Sequence, residues 1–527
     1  MQQVSQDWID ANTQQFLPLN DVKIFYYGEN NDIASRYRYS DLYNTGSGYS
    51  TYWDTTKSNV EDIRDKTAMY NPYSKYITLD NTFVLDGSFD TIDNASSLRG
   101  AITMPNAYGT SVTIWMRFQT ITDTLDYITI KWSEVFGVSP YSVTIKSQNT
   151  GVVADSVVHI LGDNEFISEI ELNFSNFNEI IIEIVSAQNN VPTRVEQVIF
   201  GHFMVFEKKD IIKYTQKNTI EPCTFTLPTH TFDFELDNVD GRFNPDNPSG
   251  VYKYLKEGQQ VSFIYGLKIN NSFEYINGGT FYILSWEVPQ NSITATFRAG
   301  SKIDLMGEIF DVSQLGTYPI TNKSLTQIAR ATGSQSNVVV DTANSGSMAG
   351  MYPKIETETG YRCNDILQLS VNAGQCILVV DRDGNVSVVH DNSGTITDYK
   401  ITKDVSYKNA DYNIRRTLKE IVINDNHYTS TVINGVTIQF DSNGETQTIS
   451  NPFALQNYDT SFVQWLYNIL KYNKIVKGEF RADARLDVMD KVTVYNRYSN
   501  ALPVLITTIN YEYNGALKGY YEGIVLQ

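Results

Sequence analysis

Basic residues, cysteine, histidine and long apolar runs are all scarce in this 527-residue chain, and each scarcity narrows the function. Lys and Arg number 41 against 60 Asp and Glu, a formal charge of −19. Phosphate backbones are held by clustered Lys and Arg, so this balance argues against a nucleic-acid interface. The same charge repels anionic membranes, over the roughly 8–10 Å that salt leaves unscreened. Cys223, Cys363 and Cys376 form no CxxC and no Cys/His cluster. An odd count at wide spacing argues against a disulfide framework and a structural zinc site, and for reduced, mostly buried thiols. The histidines are His159, His202, His230, His390 and His427, none in a nucleophile context, and neither GxSxG nor HExxH occurs. No P-loop or dinucleotide fingerprint is present, so no cofactor is expected. The start, MQQVSQDWID, lacks a basic region and an apolar core, so no signal peptide is expected. Apolar runs such as IIIEIV at Ile180–Val185 are strand-length and too short to span a bilayer.

What the chain has is aromatic and β-branched residues. Aromatics reach 13%, with 35 Tyr and 25 Phe, while charged residues are only 19%. Such a chain can bury cores and still present amphipathic rings at interfaces. Its length suggests roughly three or four domains. Up to about residue 75 the sequence mixes polar residues with Tyr and Trp, which reads as an early strand at Val22–Gly28 followed by an extended N-terminal arm packed on a neighbour. From 76 to 206, short period-two segments separated by turn residues read as a jelly-roll-like β-sandwich. IIIEIV within it implies a strand covered on both faces. Segments between 207 and 305, such as THTFDFELDN and GGTFYILSWEV, read as a small barrel. Helical periodicity follows. A helix ending at Gly333 is expected over 321–333, and another, stopped by Gly374, leads into a hairpin in a 306–400 middle domain. A third helix, over 459–471 with Asp459 as N-cap, is inserted in a strand-rich 401–527 region. Asn434-Gly435 there is the strongest short hairpin signal. The fold class is therefore mainly β with a few helices.

Candidate chemistry is sparse. LDNVDGRFNPDNPSG, from Leu236 to Gly250, has the composition of a calcium loop but not its spacing. Started at Asp237, the third and fifth ligand positions fall on Val239 and Gly241; started at Asp240, the third falls on Arg242. A turn-rich connection fits better. DRDGN at Asp381–Asn385 places glycine at the wrong position for a metal loop and reads as a hairpin turn. Glycoside hydrolysis needs only two spaced carboxylates, but 60 acids single out no pair. On the sandwich, Trp115, Trp132, Tyr127 and Tyr141 are candidates for stacking on sugar rings, against filling the core.

The segments LPTHTFDFELDNVDGRFNPDNPSGVYKYLKEGQQVSFIYGL, EYINGGTFYILSWEV and ITATFRAGSKIDLM together resemble the first barrel of tail hub proteins of Gram-positive phages and prophages. GYRCNDILQLSVNAGQCILVVDRDGNVSVV is similar to the segment where a helix packs under a hairpin. KGEFRADARLDVMDKVTVYNRYSNALPVLITTINYEYNGALKGYYEG resembles the closing barrel, with Met489 where a turn glycine is usual. The resemblance covers Lys213 to Gln527, and residues 76–206 are similar to galactose-binding-like jelly rolls placed upstream of such hubs. It implies two barrels per chain and a non-enzymatic homotrimer at the tail tip or baseplate of a virion, assembled in the host cytoplasm. Its implied partners are tail tube, distal tail and baseplate proteins and a spike or tape-measure protein, with no nucleic acid and no membrane. On this reading Arg242, Phe243 and Asn244 are candidate subunit contacts. The alternative is a carbohydrate-binding protein that recognises host cell-wall glycan through the sandwich.

Overall fold

The computed structural model describes residues 2, 4–13, 19–29, 37–44, 101–102, 111–118, 124–132, 139–162, 165–185, 193–222, 226–247, 250–270, 272–289, 292–355, 360–391, 393–407, 410–433 and 436–527. The chain is mainly β, with antiparallel sheets and four α-helices among these residues. It divides into two compact units, one of Met1–Phe25 with Val205–Gln527 and one of Tyr26–Met204.

Among the described residues of the first 29 are a helix, which the sequence did not signal, and a strand that includes the expected Val22–Gly28 segment. Helix α1 (Gln6–Thr13) starts where the Ser5 hydroxyl accepts the Trp8 amide at 3.1 Å, a side-chain cap. Trp8 is buried. Strand β1 (Asn20–Glu29) follows.

The Tyr26–Met204 unit holds two sheets. The strands are β2 (Tyr37–Asn44), β3 (Ala101–Ile102), β4 (Ser111–Phe118), β5 (Thr124–Trp132), β6 (Ser142–Asn149), β7 (Val152–Ile160), β8 (Ile167–Ser175), β9 (Glu179–Val185) and β10 (Thr193–Ile199). One sheet runs β2-β4-β9-β6-β7 and the other β3-β10-β5-β8. Alternation in ISEIELNFS sends Ile170, Leu172 and Phe174 inward. They share one core with Ile128, Ile130, Ile145 and Ile182 from both sheets. Ile180, Ile181 and Ile182 are all buried on the central strand β9, as the unbroken apolar run implies. Residues 76–100 of the expected sandwich lie outside the described residues.

After β11 (Gly201–Phe206) come β12 (Ile211–Thr219), β13 (Thr229–Asp237), β14 (Gln260–Ile269), β15 (Ser272–Glu287) and β16 (Thr294–Gly300). A middle region holds α2 (Leu325–Gln335), β17 (Val340–Asn344), α3 (Cys363–Ala373), β18 (Ile377–Val380) and β19 (Val386–Val389). The last part contributes β20 (Thr395–Ile401), β21 (Asp411–Ile414), β22 (Leu418–Ile423), β23 (Asn426–Tyr428), β24 (Ser430–Ile433), β25 (Val436–Gln439), β26 (Glu445–Ile449), α4 (Asp459–Leu470), β27 (Lys474–Arg481), β28 (Asp490–Tyr495), β29 (Ala501–Tyr513) and β30 (Leu517–Val525).

Strands from both expected barrels join one sheet in the order β14-β15-β16-β13-β12-β29-β30-β27-β21, while β22–β26 form two small sheets of their own, and no closed barrel is found among the described residues. The joint is β12, which pairs with β13 on one side and, from Tyr214↔Tyr513 to Thr219↔Thr508, with β29 on the other. Each strand group thus offers an edge that the other satisfies, and pairing across β12 removes two free edges at once.

Three local expectations change. Helix α2 begins at a Ser324–Gln327 capping box and runs through Gly333 to Gln335. Gly333 permits close approach instead of stopping the helix: a Cβ there would lie 2.4 Å from the Val338 carbonyl. Asp459 is not the cap of α4, since Tyr458 precedes the helix; its carboxylate accepts the Tyr428 hydroxyl at 2.6 Å. Met489 adopts φ +67°, so the turn keeps the left-handed conformation that glycine takes without strain. Met489 is 9% exposed within the core around α4, and that burial offsets the strain. Helix α3 does end at Gly374. Asn434-Gly435 lies outside the described residues, between strands paired Ile433↔Val436.

Candidate functional site

The 236–250 connection is a chain of turns. The amides of Gly241, Asn244, Asn247 and Gly250 donate to the carbonyls of Asn238, Gly241, Asn244 and Asn247, at 2.9, 2.9, 3.0 and 3.0 Å. Carboxylate and amide oxygens accept nearby amides: Asp240 takes that of Arg242, Asn244 that of Asp246, and Asn238 that of Phe243. The oxygens a metal would need are thus spent on the backbone. Phe243 is fully buried, packed on Phe206 and Phe297 at ring separations of 5.8 and 5.3 Å. It plugs its own chain's core. Arg242 lies over the Phe206 and Phe243 rings with its guanidinium 3.3 Å from Asp210. Asn244 is bound into the turns. Among the described residues no cluster of His, Cys, Asp or Glu is placed to hold a metal ion.

The four sugar-stacking candidates are dispersed. Trp132 on β5 is 2% exposed in the sandwich core, its indole N–H donating to Ser168 at 2.9 Å. A side chain so buried cannot stack on a ligand at the surface. Tyr127, half-buried on the same strand, lies 3.9 Å from the His202 ring. Tyr141, just before β6 in the other sheet, is 48% exposed. Trp115 is on β4 opposite Ile181, and its side chain lies outside the described residues. Cys363 and Cys376 are free and buried, and burial pushes the Cys376 thiol up to about 12. Cys223 lies outside the described residues.

The most developed polar site is one that sequence reading passed over. The turn DRDGN joins β18 to β19, with Val380↔Val386 as the last pair. Its Arg382 points inward and is 6% exposed. The guanidinium donates to the Asp487 carboxylate at 2.7 Å and to the carbonyls of Asn277, Ala484 and Leu486 at 2.9, 2.7 and 2.7 Å. Burial opposes its charge, and the fields of Asp487, Tyr511 and Asp490 outweigh that. The Tyr511 hydroxyl reaches the carbonyls of Asp483 and Leu486 at 2.7 and 2.9 Å. Asp483, almost without exposure, pairs with Arg485. Residues 482–486 form a buried loop outside any strand ladder, and Arg382 and Tyr511 donate to its Asp483, Ala484 and Leu486 carbonyls. The site therefore ties the middle hairpin and the β15 bend at Asn277 to the segment between β27 and β28.

His230 borders this cluster. It sits opposite Asn218 across the β12–β13 pair, 3% exposed and stacked on Phe281 at 4.5 Å. Burial lowers its pKa to about 4, with Asp487 pulling it up and Arg382 pushing it down. The unfolded imidazole takes its proton near 6.5, whereas the folded one stays neutral until about pH 4. Stability from this group is present above pH 6.5 and is lost as pH falls to about 4, by roughly 3 kcal/mol in all. His230→Phe should therefore lose about 2 kcal/mol less than the parent between pH 7 and pH 4.5 in urea titrations. Equal losses would refute the assignment.

A cavity of about 370 Å³ opens beside β21 and β26, with Ile414, Leu418, Ile469 and Ile524 among its apolar walls. Arg415, Arg416, Glu221 and Glu445 supply its charge. Arg416 faces Glu445 at 3.5 Å.

No family model and no curated protein matches the chain. Among solved structures, the 43 kDa tail protein of prophage MuSo2 from Shewanella oneidensis matches over 61% of this chain and 95% of its own, at 15% identity and a TM-score of 0.43. A tail protein from Neisseria meningitidis MC58 matches over 61% and 93%, at 11% identity and a TM-score of 0.38. A prophage tail protein from Listeria monocytogenes EGD-e matches over 60% and 91%, at 9% identity and a TM-score of 0.38.

Proposed function

We propose that this chain is a structural virion protein, the hub of a phage tail tip or baseplate. It connects the tail tube and distal tail proteins to spike or tape-measure components as a homotrimer and performs no catalysis. The sequence resemblance over Lys213–Gln527 supports this reading, and one observation carries it. The two strand groups that resemble hub barrels are hydrogen-bonded into one sheet through β12–β29. A ring in which three chains present six similar surfaces needs the two surfaces of each chain held at a fixed offset. A shared strand pair does this where a linker would not. The Arg382 cluster adds a second tie within the same unit. The glycan-binding alternative keeps the exposed ring of Tyr141 and loses Trp132.

The test is light scattering on the purified full chain, followed by micrographs. Three chain masses and a ring of sixfold appearance are expected. A monomer at tens of micromolar, with no ring in isolated tail tips, would sink the hub reading.

A further inference from the structure

Two different strand edges of this chain are open among the described residues, and they complement each other. β21 ends the long sheet and β7 ends the five-stranded sheet of the other unit. The Arg415 amide donates to the Asn473 carbonyl at 2.8 Å. Backbone direction alternates along an antiparallel strand, so the N–H and C=O of Tyr412 and Ile414 turn away from β27. On β7, the Leu161 amide donates to the Tyr141 carbonyl at 3.1 Å, so the backbones of Ser156, Val158 and Ile160 turn away from β6. The residues with free backbones also carry exposed apolar side chains: Ile414 68%, Val158 63% and Ile160 64% exposed. Neither strand contains the Lys or Pro that commonly guards an edge.

Charge selects a register. Arg415 and Asp155 are both exposed, and neither side chain has an ion-pair partner among the described residues. Placing Arg415 opposite Asp155 in an antiparallel pair sets Ile414 opposite Ser156 and Tyr412 opposite Val158. Those are the residues whose backbone groups already face outward on both strands. A shift of one residue would set outward backbone against inward, and a shift of two would separate the charges. Backbone direction and charge are independent observations, and they agree on one pairing.

We propose that β21 of one copy receives β7 of a second copy as an added antiparallel strand, with Arg415 opposite Asp155. The contact joins two unlike edges, so it links copies head to tail and can close into a ring, which a two-fold dimer contact would not do. It rests on the hub reading only in that the chain self-associates.

The experiment is sedimentation velocity of the full chain over a concentration series. Arg415→Asp and Asp155→Arg should each weaken association about tenfold, and the double exchange should restore it. Val158→Pro removes an outward-facing N–H and no bond to β6, so it should leave circular dichroism unchanged while reducing association more than tenfold. An assembly unchanged in all these variants overturns the edge pairing and leaves the hub reading standing on other surfaces. Single variants that weaken association without rescue by the double exchange also overturn it. A parent chain that stays monomeric throughout overturns both.

Discussion

Arg382→Ala should cost about 2–4 kcal/mol in the unfolding of the unit formed by Met1–Phe25 and Val205–Gln527, the largest loss expected from a polar residue here. The size follows from what remains behind. Asp487 would lose the charge that faces it at 2.7 Å, the Ala484 carbonyl its Arg382 donor and the Leu486 carbonyl one of its two donors, all in a largely buried loop. Arg382→Lys is the informative control. One ammonium keeps the charge but cannot serve a carboxylate and three carbonyls lying in different directions, so most of the loss should remain. Urea titration of both variants decides the point, and limited proteolysis should show new cleavage between 482 and 490. A loss below about 1 kcal/mol would mean that the loop carbonyls find other donors.

Arg382 also shows where sequence reading runs out. DRDGN was legible as a hairpin turn because Asp and Gly report local backbone preference, and it is a hairpin turn. Its arginine acts on residues about a hundred positions away, and nothing local encodes that. The same division holds elsewhere. The alternation of β8 and the buried run of β9 are legible because side-chain burial repeats with the strand's own period. Helix α3 ends at its glycine because a C-terminal cap is a local device. Gly333 misled because a glycine needed for close packing on Val338 has the same letter as one that ends a helix. Trp132 stood open between stacking on sugar and filling the core, because strand position does not report which face is covered, and tertiary packing buries it. The strands of the expected barrels were readable one by one, whereas the β12–β29 pairing joins segments nearly three hundred residues apart. Pairing partners at that distance depend on edge complementarity, to which periodicity is blind.

Phe232→Ala should cost about 3–5 kcal/mol and loosen the joint between the two strand groups as well as its own strand. Phe232 is fully buried, with rings of Phe263, Phe281 and Phe234 at 4.4, 5.1 and 5.1 Å. Phe263 itself lies against Gly278, where a Cβ would stand 2.1 Å from the ring, so it cannot move that way to fill a cavity without changing its rotamer. Tyr214, 5.5 Å from Phe232, stacks on Tyr513 across the β12–β29 pair. A cavity at Phe232 therefore removes support from the ring that bridges the joint. Hydrogen exchange should report lost protection along β12 and β29 as well as at β13. Phe232→Leu, which keeps most of the volume, should cost about 1–1.5 kcal/mol and leave the joint protected. Loss of protection confined to β13 in the alanine variant would mean that β12 and β29 are held by their ladder alone, and that the aromatic column does not couple the two groups.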